Sequence, residues 1–94
     1  MSCVEERVKI TNRNGIHARP SHMIASTAQK FKSSVKIIKS GFAVDAKSIL
    51  DLLMLAAEFD TELVIKADGP DAAAAVKAVK HLIETRFGEL EVDQ

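Results

Sequence analysis

The spacing of apolar and polar residues changes several times along the chain, and each change marks an element. Val4, Val8 and Ile10 fall on one face of an alternating stretch and Glu5, Arg7 and Lys9 on the other, with Glu6 interrupting the apolar series. A period of two with one wet face predicts a strand over 4–10. Thr11-Asn12-Arg13-Asn14-Gly15 is polar and closes on glycine, which predicts a loop. Over 18–31 the period lengthens. Ile24, Ala25, Ala28 and Phe31 share one helical stripe, while His22, Gln29 and Lys30 lie off it. Pro20 falls in the first turn, where a missing N–H costs no intrahelical bond, so this helix starts beside His17.

Residues 35–39 and 42–44 form two short β-type runs joined by Ser40-Gly41, a hairpin signal. Asp45-Ala46-Lys47-Ser48 leads into a short helix over 49–57 with Ser48 as its N-cap. Residues 63–67 read as a fourth strand. Asp68-Gly69-Pro70-Asp71 is a turn, and Asp71 opens a helix where negative charge is favoured. The last helix, 72–87, puts Ala72, Ala75, Val76, Val79, Leu82, Ile83 and Phe87 on its apolar side and Lys77, Lys80, His81 and Glu84 on the other; Gly88 stops it. Residues 1–88 thus form a single domain and 89–94 a flexible tail. The order βαββαβα implies an α+β fold with helices over one side of a sheet, antiparallel or mixed because of its hairpin.

The helix over 49–57 is apolar nearly all round. Leu52, Leu55 and Ala56 make one stripe; Ile49, Leu50, Leu53 and Met54 make another. A chain of 94 residues is too thin to enclose both, so the second stripe is expected at the surface as a partner patch. With 47% apolar residues, no Trp, no Tyr and four Phe, the core must be largely aliphatic.

Thirteen Lys and Arg balance thirteen Asp and Glu, so the basic surplus of a nucleic-acid binder is missing. No apolar run approaches the ~20 residues of a membrane span. The charged start of the chain is unlike a signal peptide, and the single cysteine, Cys3, has no internal partner. A reduced, cytoplasmic protein is expected. The three histidines, His17, His22 and His81, lack metal-ligand spacing, and no metal or cofactor is expected. His22 and His81 read as surface residues.

Asn14-Gly15-Ile16-His17-Ala18-Arg19-Pro20 carries the most chemistry. A helix N-terminus offers outward N–H groups and the positive end of the helix dipole, a ready place for a phosphate. A neutral ring nitrogen of His17 could act as nucleophile, and the Arg19 guanidinium could meet the phosphate. On spacing alone, a His17 that merely opens the helix and a solvated Arg19 are the better-supported reading.

The same stretch, however, resembles the active-site signature G-[LI]-H-[AT]-R-P of HPr, the histidine-containing phosphocarrier family of the bacterial phosphoenolpyruvate-dependent sugar phosphotransferase system. Val44-Asp45-Ala46-Lys47-Ser48-Ile49-Leu50 resembles the family's second motif, V-N-A-K-S before an apolar helix. The spacing between the two fits, and the resemblance runs from Val4 to Phe87. It implies an open-faced β-sandwich, a four-stranded antiparallel sheet with three helices on one face. It implies His17 as phosphoryl acceptor at Nδ1, Arg19 as charge partner, Pro20 at the helix start and Ser48 as a serine that a dedicated kinase modifies in many relatives. Enzyme I would donate the group and sugar-specific permease components would receive it. A serine kinase and phosphatase are further implied partners, and the chain would act as a monomer with no small-molecule turnover of its own. Asp45, Ala56 and Asp60 depart from the family, which favours Asn, Gly and Gly there; Asp45 brings negative charge towards Ser48. Two rival functions stand beside this one: a purely regulatory HPr-like binding protein that keeps the fold and acts through Ser48, and a plain interaction module of α+β type in which His17 is only a cap.

Overall fold

The computed structural model describes residues 2–88. The elements are β1 (Ser2–Lys9), α1 (Ala18–Ala28), β2 (Ser34–Lys39), β3 (Phe42–Asp45), α2 (Ile49–Leu55), β4 (Glu62–Gly69), α3 (Ala72–Glu84) and one 3-10 turn, Arg86–Gly88. The four strands form a single antiparallel sheet in the order β1-β4-β2-β3. The expected tail, 89–94, lies outside the described residues.

Register explains why one face is buried. Val8 pairs with Leu63, Ile37 with both Ile65 and Val44, and Val35 with Ala67, and all of these side chains are buried. Because side chains alternate, their neighbours Arg7, Lys9, Lys36, Glu62, Lys66 and Asp68 point to the open face. The three helices, α1, α2 and α3, bring Ile24, Ala25 and Ala28, Leu52 and Leu55, and Ala72, Ala75, Val76, Val79 and Ile83 onto the buried side. The hairpin loop is the two residues Ser40 and Gly41, at φ 49° and 84°, the mirror-image turn that matches strand twist. Glu6, the interruption in β1, accepts a 2.9 Å hydrogen bond from Lys80 of α3. That carboxylate raises the Lys80 pKa.

Element ends differ from those the pattern predicts, each for a local reason. Helix α1 closes at Ala28 and not at residue 31; Lys30 and Phe31 continue only as turns. Helix α2 closes at Leu55 because Ala56 turns left-handed at φ 54°. Ala56 is therefore exposed and not part of the core stripe, and Ala57 takes its place inside. Helix α3 ends at Glu84, and Arg86 and Phe87 both adopt φ 57°, which swings the Phe87 ring into the core outside any α-helix. Strand β4 runs through Asp68 and Gly69, which leaves only Pro70 and Asp71 as the turn.

Candidate functional site

The approach to α1 is held on both sides. Ile16 is buried, and its N–H donates to the Ala57 carbonyl across 2.9 Å. Gly15 sits at φ 65°, and a Cβ there would stand 2.5 Å from the Ala57 oxygen and 2.9 Å from Glu58 Cα. Only glycine combines that dihedral with that closeness of backbones. Next comes His17, the N-cap of α1, half-buried and with extended backbone (φ −113°, ψ −158°). Its carbonyl accepts the first intrahelical bond, from Ser21 N–H at 2.9 Å, while its ring makes no capping bond. The turn ahead of that bond aims its amides out of the helix, and Pro20, buried in that turn, has no N–H to lose. The ring of His17 is thus carried at the positive end of an 11-residue helix.

Arg19 stands two residues further on. Its guanidinium donates to the Phe87 carbonyl at 3.1 Å and approaches the Met23 sulfur at 3.0 Å. Its reach is therefore set from the far end of the chain, by the left-handed pair that buries Phe87. His22 is exposed in α1 and His81 exposed in α3. Among the described residues, no group of three or more His, Cys, Asp and Glu side chains could hold a metal ion. No helix of the described residues is long and apolar enough to cross a membrane.

Helix α2 lies beside β3 and packs against α1. Leu52 and Leu55 are buried, and all four residues of the other stripe are exposed: Ile49, Leu50, Leu53 and Met54. The loop after α2 adds Phe59, an exposed aromatic that no periodic pattern marks. Ser48 Oγ accepts the Asp51 N–H at 3.2 Å, the N-cap contact expected from sequence. Two carboxylates flank it: that of Asp45 accepts the Lys47 N–H at 2.9 Å, and that of Asp51 accepts the Asp45 N–H at 3.2 Å. At the other end of α2, Lys39 donates its ammonium to the carbonyls of Leu55 and Ala56.

The profile of the PTS HPr component phosphorylation site matches residues 4–85 of this chain. The chain belongs to the HPr family of phosphocarriers. The phosphocarrier protein HPr of Neisseria meningitidis is 41% identical over 88 residues, which cover 94% of this chain and 99% of that one. That of Treponema pallidum is 36% identical over 86 residues, 92% and 98% of the two chains. Among solved structures, HPr-C-His from Thermoanaerobacter tengcongensis superposes with a TM-score of 0.89 at 37% identity, over 93% of this chain and 98% of that one. The open four-stranded sheet with three helices is therefore the HPr fold.

Within this HPr frame the residues singled out in the sequence fall in two places. His17, Arg19 and Pro20 lie together at the start of α1, while Ser48 and the apolar stripe lie on α2. What joins the two is the backbone contact of Gly15 and Ile16 with Ala57, just past the end of α2. One residue of this region had no motif to announce it. Asn12 is 1% exposed, and its Nδ2 donates to the Gly15 carbonyl at 2.7 Å. The only hint in sequence is the fondness of Asn for closing turns onto nearby backbone.

Proposed function

We propose that this HPr-family chain takes a phosphoryl group on His17 from phosphorylated enzyme I and delivers it to sugar-specific permease components. The observation that carries this reading is the position of His17, an N-cap whose ring is not used for capping, at the positive end of α1. In the transfer, the neutral Nδ1 lone pair attacks phosphorus. The bond from phosphorus to the donor breaks, and its electron pair stays with the donor. Arg19 meets the phosphoryl oxygens, and outward amides of the helix start share the charge. Ile49, Leu50, Leu53 and Met54 form the surface on which the partner docks. Such a relay suits a shallow, open site with fast dissociation, and an exposed apolar stripe next to a helix end provides one. The chain acts as a monomeric carrier in the cytoplasm without turnover of its own.

Ser48 is the proposed regulatory position, modified by a serine kinase and restored by a phosphatase. A phosphate there would sit at a helix start but between the carboxylates of Asp45 and Asp51, so its repulsion would act on the docking surface as well. The purely regulatory alternative would use Ser48 without His17.

Incubation with phosphoenolpyruvate and enzyme I tests the main reading. One acid-labile phosphoryl group should appear on the parent protein and none on His17→Ala, whose melting should stay close to that of the parent. Absence of the label in the parent, or its persistence in His17→Ala, would overturn the assignment.

A further inference from the structure

Resting on the phosphocarrier reading above, we infer that Asn12 is a positioning residue for phosphoryl transfer, acting on His17 through the Gly15 carbonyl. The loop between β1 and α1 must place an imidazole from backbone that contains glycine, the residue least able to hold an orientation by itself. Neighbouring backbone limits Gly15 on the side where a side chain would stand, because the Ala57 carbonyl and Glu58 Cα leave no room for a Cβ. Asn12 holds its polar groups. Its main-chain carbonyl accepts the Gly15 N–H at 3.1 Å and its side-chain Nδ2 donates to the Gly15 carbonyl at 2.7 Å. Both peptide planes of Gly15 are thereby tied to one residue. The second tie fixes the plane joining Gly15 to Ile16, which immediately precedes His17.

The tie is also protected. Asn12 is 1% exposed, so water does not compete for Nδ2 as it would at the surface. Burying a carboxamide is costly, so its presence here calls for a task that a smaller residue could not do. The same peptide plane is anchored at its other polar group by the Ile16 N–H bond to Ala57, and the burial of Ile16 carries the orientation onward to the N-cap. Releasing the Gly15 carbonyl would leave this peptide plane held by the Ile16 N–H bond alone, so that it can tilt about that bond and displace the imidazole relative to the donor phosphorus. A displacement of about 1 Å costs roughly 100-fold in a transfer that depends on alignment.

Asn12→Asp is the informative variant, because it keeps size and removes the donor, placing a carboxylate oxygen against a carbonyl. Single-turnover transfer from phosphorylated enzyme I would be followed across enzyme I concentration, with thermal melting and the ¹⁵N resonances of the His17 ring recorded in parallel. The rate at saturating enzyme I should fall about 10- to 100-fold, and the half-saturating concentration should stay put because α2 is untouched. The ring resonances should shift or broaden. An unchanged saturating rate in a folded Asn12→Asp protein would overturn the assignment, as would a change confined to the half-saturating concentration. Should that variant fail to fold, the parent decides: side-chain amide protons of Asn12 that exchange as fast as those of an exposed asparagine would overturn it, and protected ones would sustain it. Lack of transfer to the parent itself would instead refute the phosphocarrier reading on which the inference stands.

Discussion

The guanidinium of Arg19 reaches the carbonyl of Phe87, 68 positions later in the chain, across 3.1 Å. Phe87 is available there only because its ring is buried and its backbone, like that of Arg86, is left-handed. The contact ties the first turn of α1 to the segment after α3 and aims the cation by the same stroke. Arg19→Ala should cost stability by about 1 kcal/mol or less, since the residue is solvent-facing. Phosphoryl transfer to His17 should fall by roughly 100- to 1,000-fold, the usual scale for losing a donor to developing charge. Melting curves and transfer rates measured on one preparation check both arms. A loss of stability with unimpaired transfer would make Arg19 a clasp for Phe87 and nothing more.

Ser21 gives a sharper test of local energetics. It lies in α1 with no exposed surface, and its Oγ has no hydrogen-bond partner among the described residues. An unsatisfied buried hydroxyl destabilises, and alanine is the better helix former. Ser21→Ala should therefore be neutral or stabilising, by up to about 1 kcal/mol, in urea unfolding. A clear loss of stability would mean that the hydroxyl is satisfied in solution.

Ser48 as a cap and Ser48 as a regulatory position make separable predictions. Removing the bond from Asp51 N–H by Ser48→Ala should cost about 1 kcal/mol. Ser48→Asp can still cap, so it should unfold near the parent. Its charge, added to those of Asp45 and Asp51, should slow transfer to His17. If Ser48→Asp transfers at the parental rate, Ser48 serves as a cap alone.

Asp71 predicts how the fold responds to acid. Its carboxylate accepts hydrogen bonds from Ser33 Oγ at 2.6 Å, Ser33 N–H at 2.8 Å and Lys32 N–H at 2.9 Å. These donors, the Ser33 hydroxyl first, favour the ionised form and lower its pKa from 3.8 to about 2. Depressing an acid's folded pKa stabilises the fold above the unfolded pKa, and that contribution disappears as pH falls through the folded one. Melting temperature compared between parent and Asp71→Asn should differ by a constant amount above about pH 4.5. The gap should close between pH 4 and pH 2. A gap that persists undiminished at pH 2 would assign the difference to packing and not to charge.

These cases also mark how far the chain could be read before its structure. Element order, the buried faces and the Ser48 cap were legible because each rests on local periodicity or on a short-range bond. The exposed stripe of α2 was legible from chain length, since a thin protein cannot cover both sides of a short apolar helix. Helix ends were not, where left-handed caps fall on Ala56 and Phe87 and not on glycine. Nor were the Asp71–Ser33 and Arg19–Phe87 links, which join residues 38 and 68 positions apart and leave no trace in spacing. Asn12 sat inside a loop motif as one polar residue among several, and only the folded loop distinguishes it.

Helix α2 provides the widest separation between a core role and a docking role. Leu50 is 70% exposed and Leu53 40%, whereas Leu52 and Leu55 are at 0% and 2%. Leu50→Ser removes little buried area and should change stability by less than ~1 kcal/mol. Leu53→Ser gives up a partly covered side chain and should lie at the upper end of that range. Leu52→Ala and Leu55→Ala should each cost about 2–5 kcal/mol, because they remove buried methyl groups and leave a cavity. Transfer should invert this ranking. Neither Leu50 nor Leu53 belongs to the turn that carries His17, yet loss of either should raise the enzyme I concentration needed for half-maximal transfer, leaving the saturating rate near that of the parent. That signature is the converse of the one expected from Asn12, so the two classes of variant calibrate one another. If Leu50 and Leu53 variants melt early while Leu52 and Leu55 variants dock poorly, the apolar stripe is structural and the partner surface lies elsewhere on the domain.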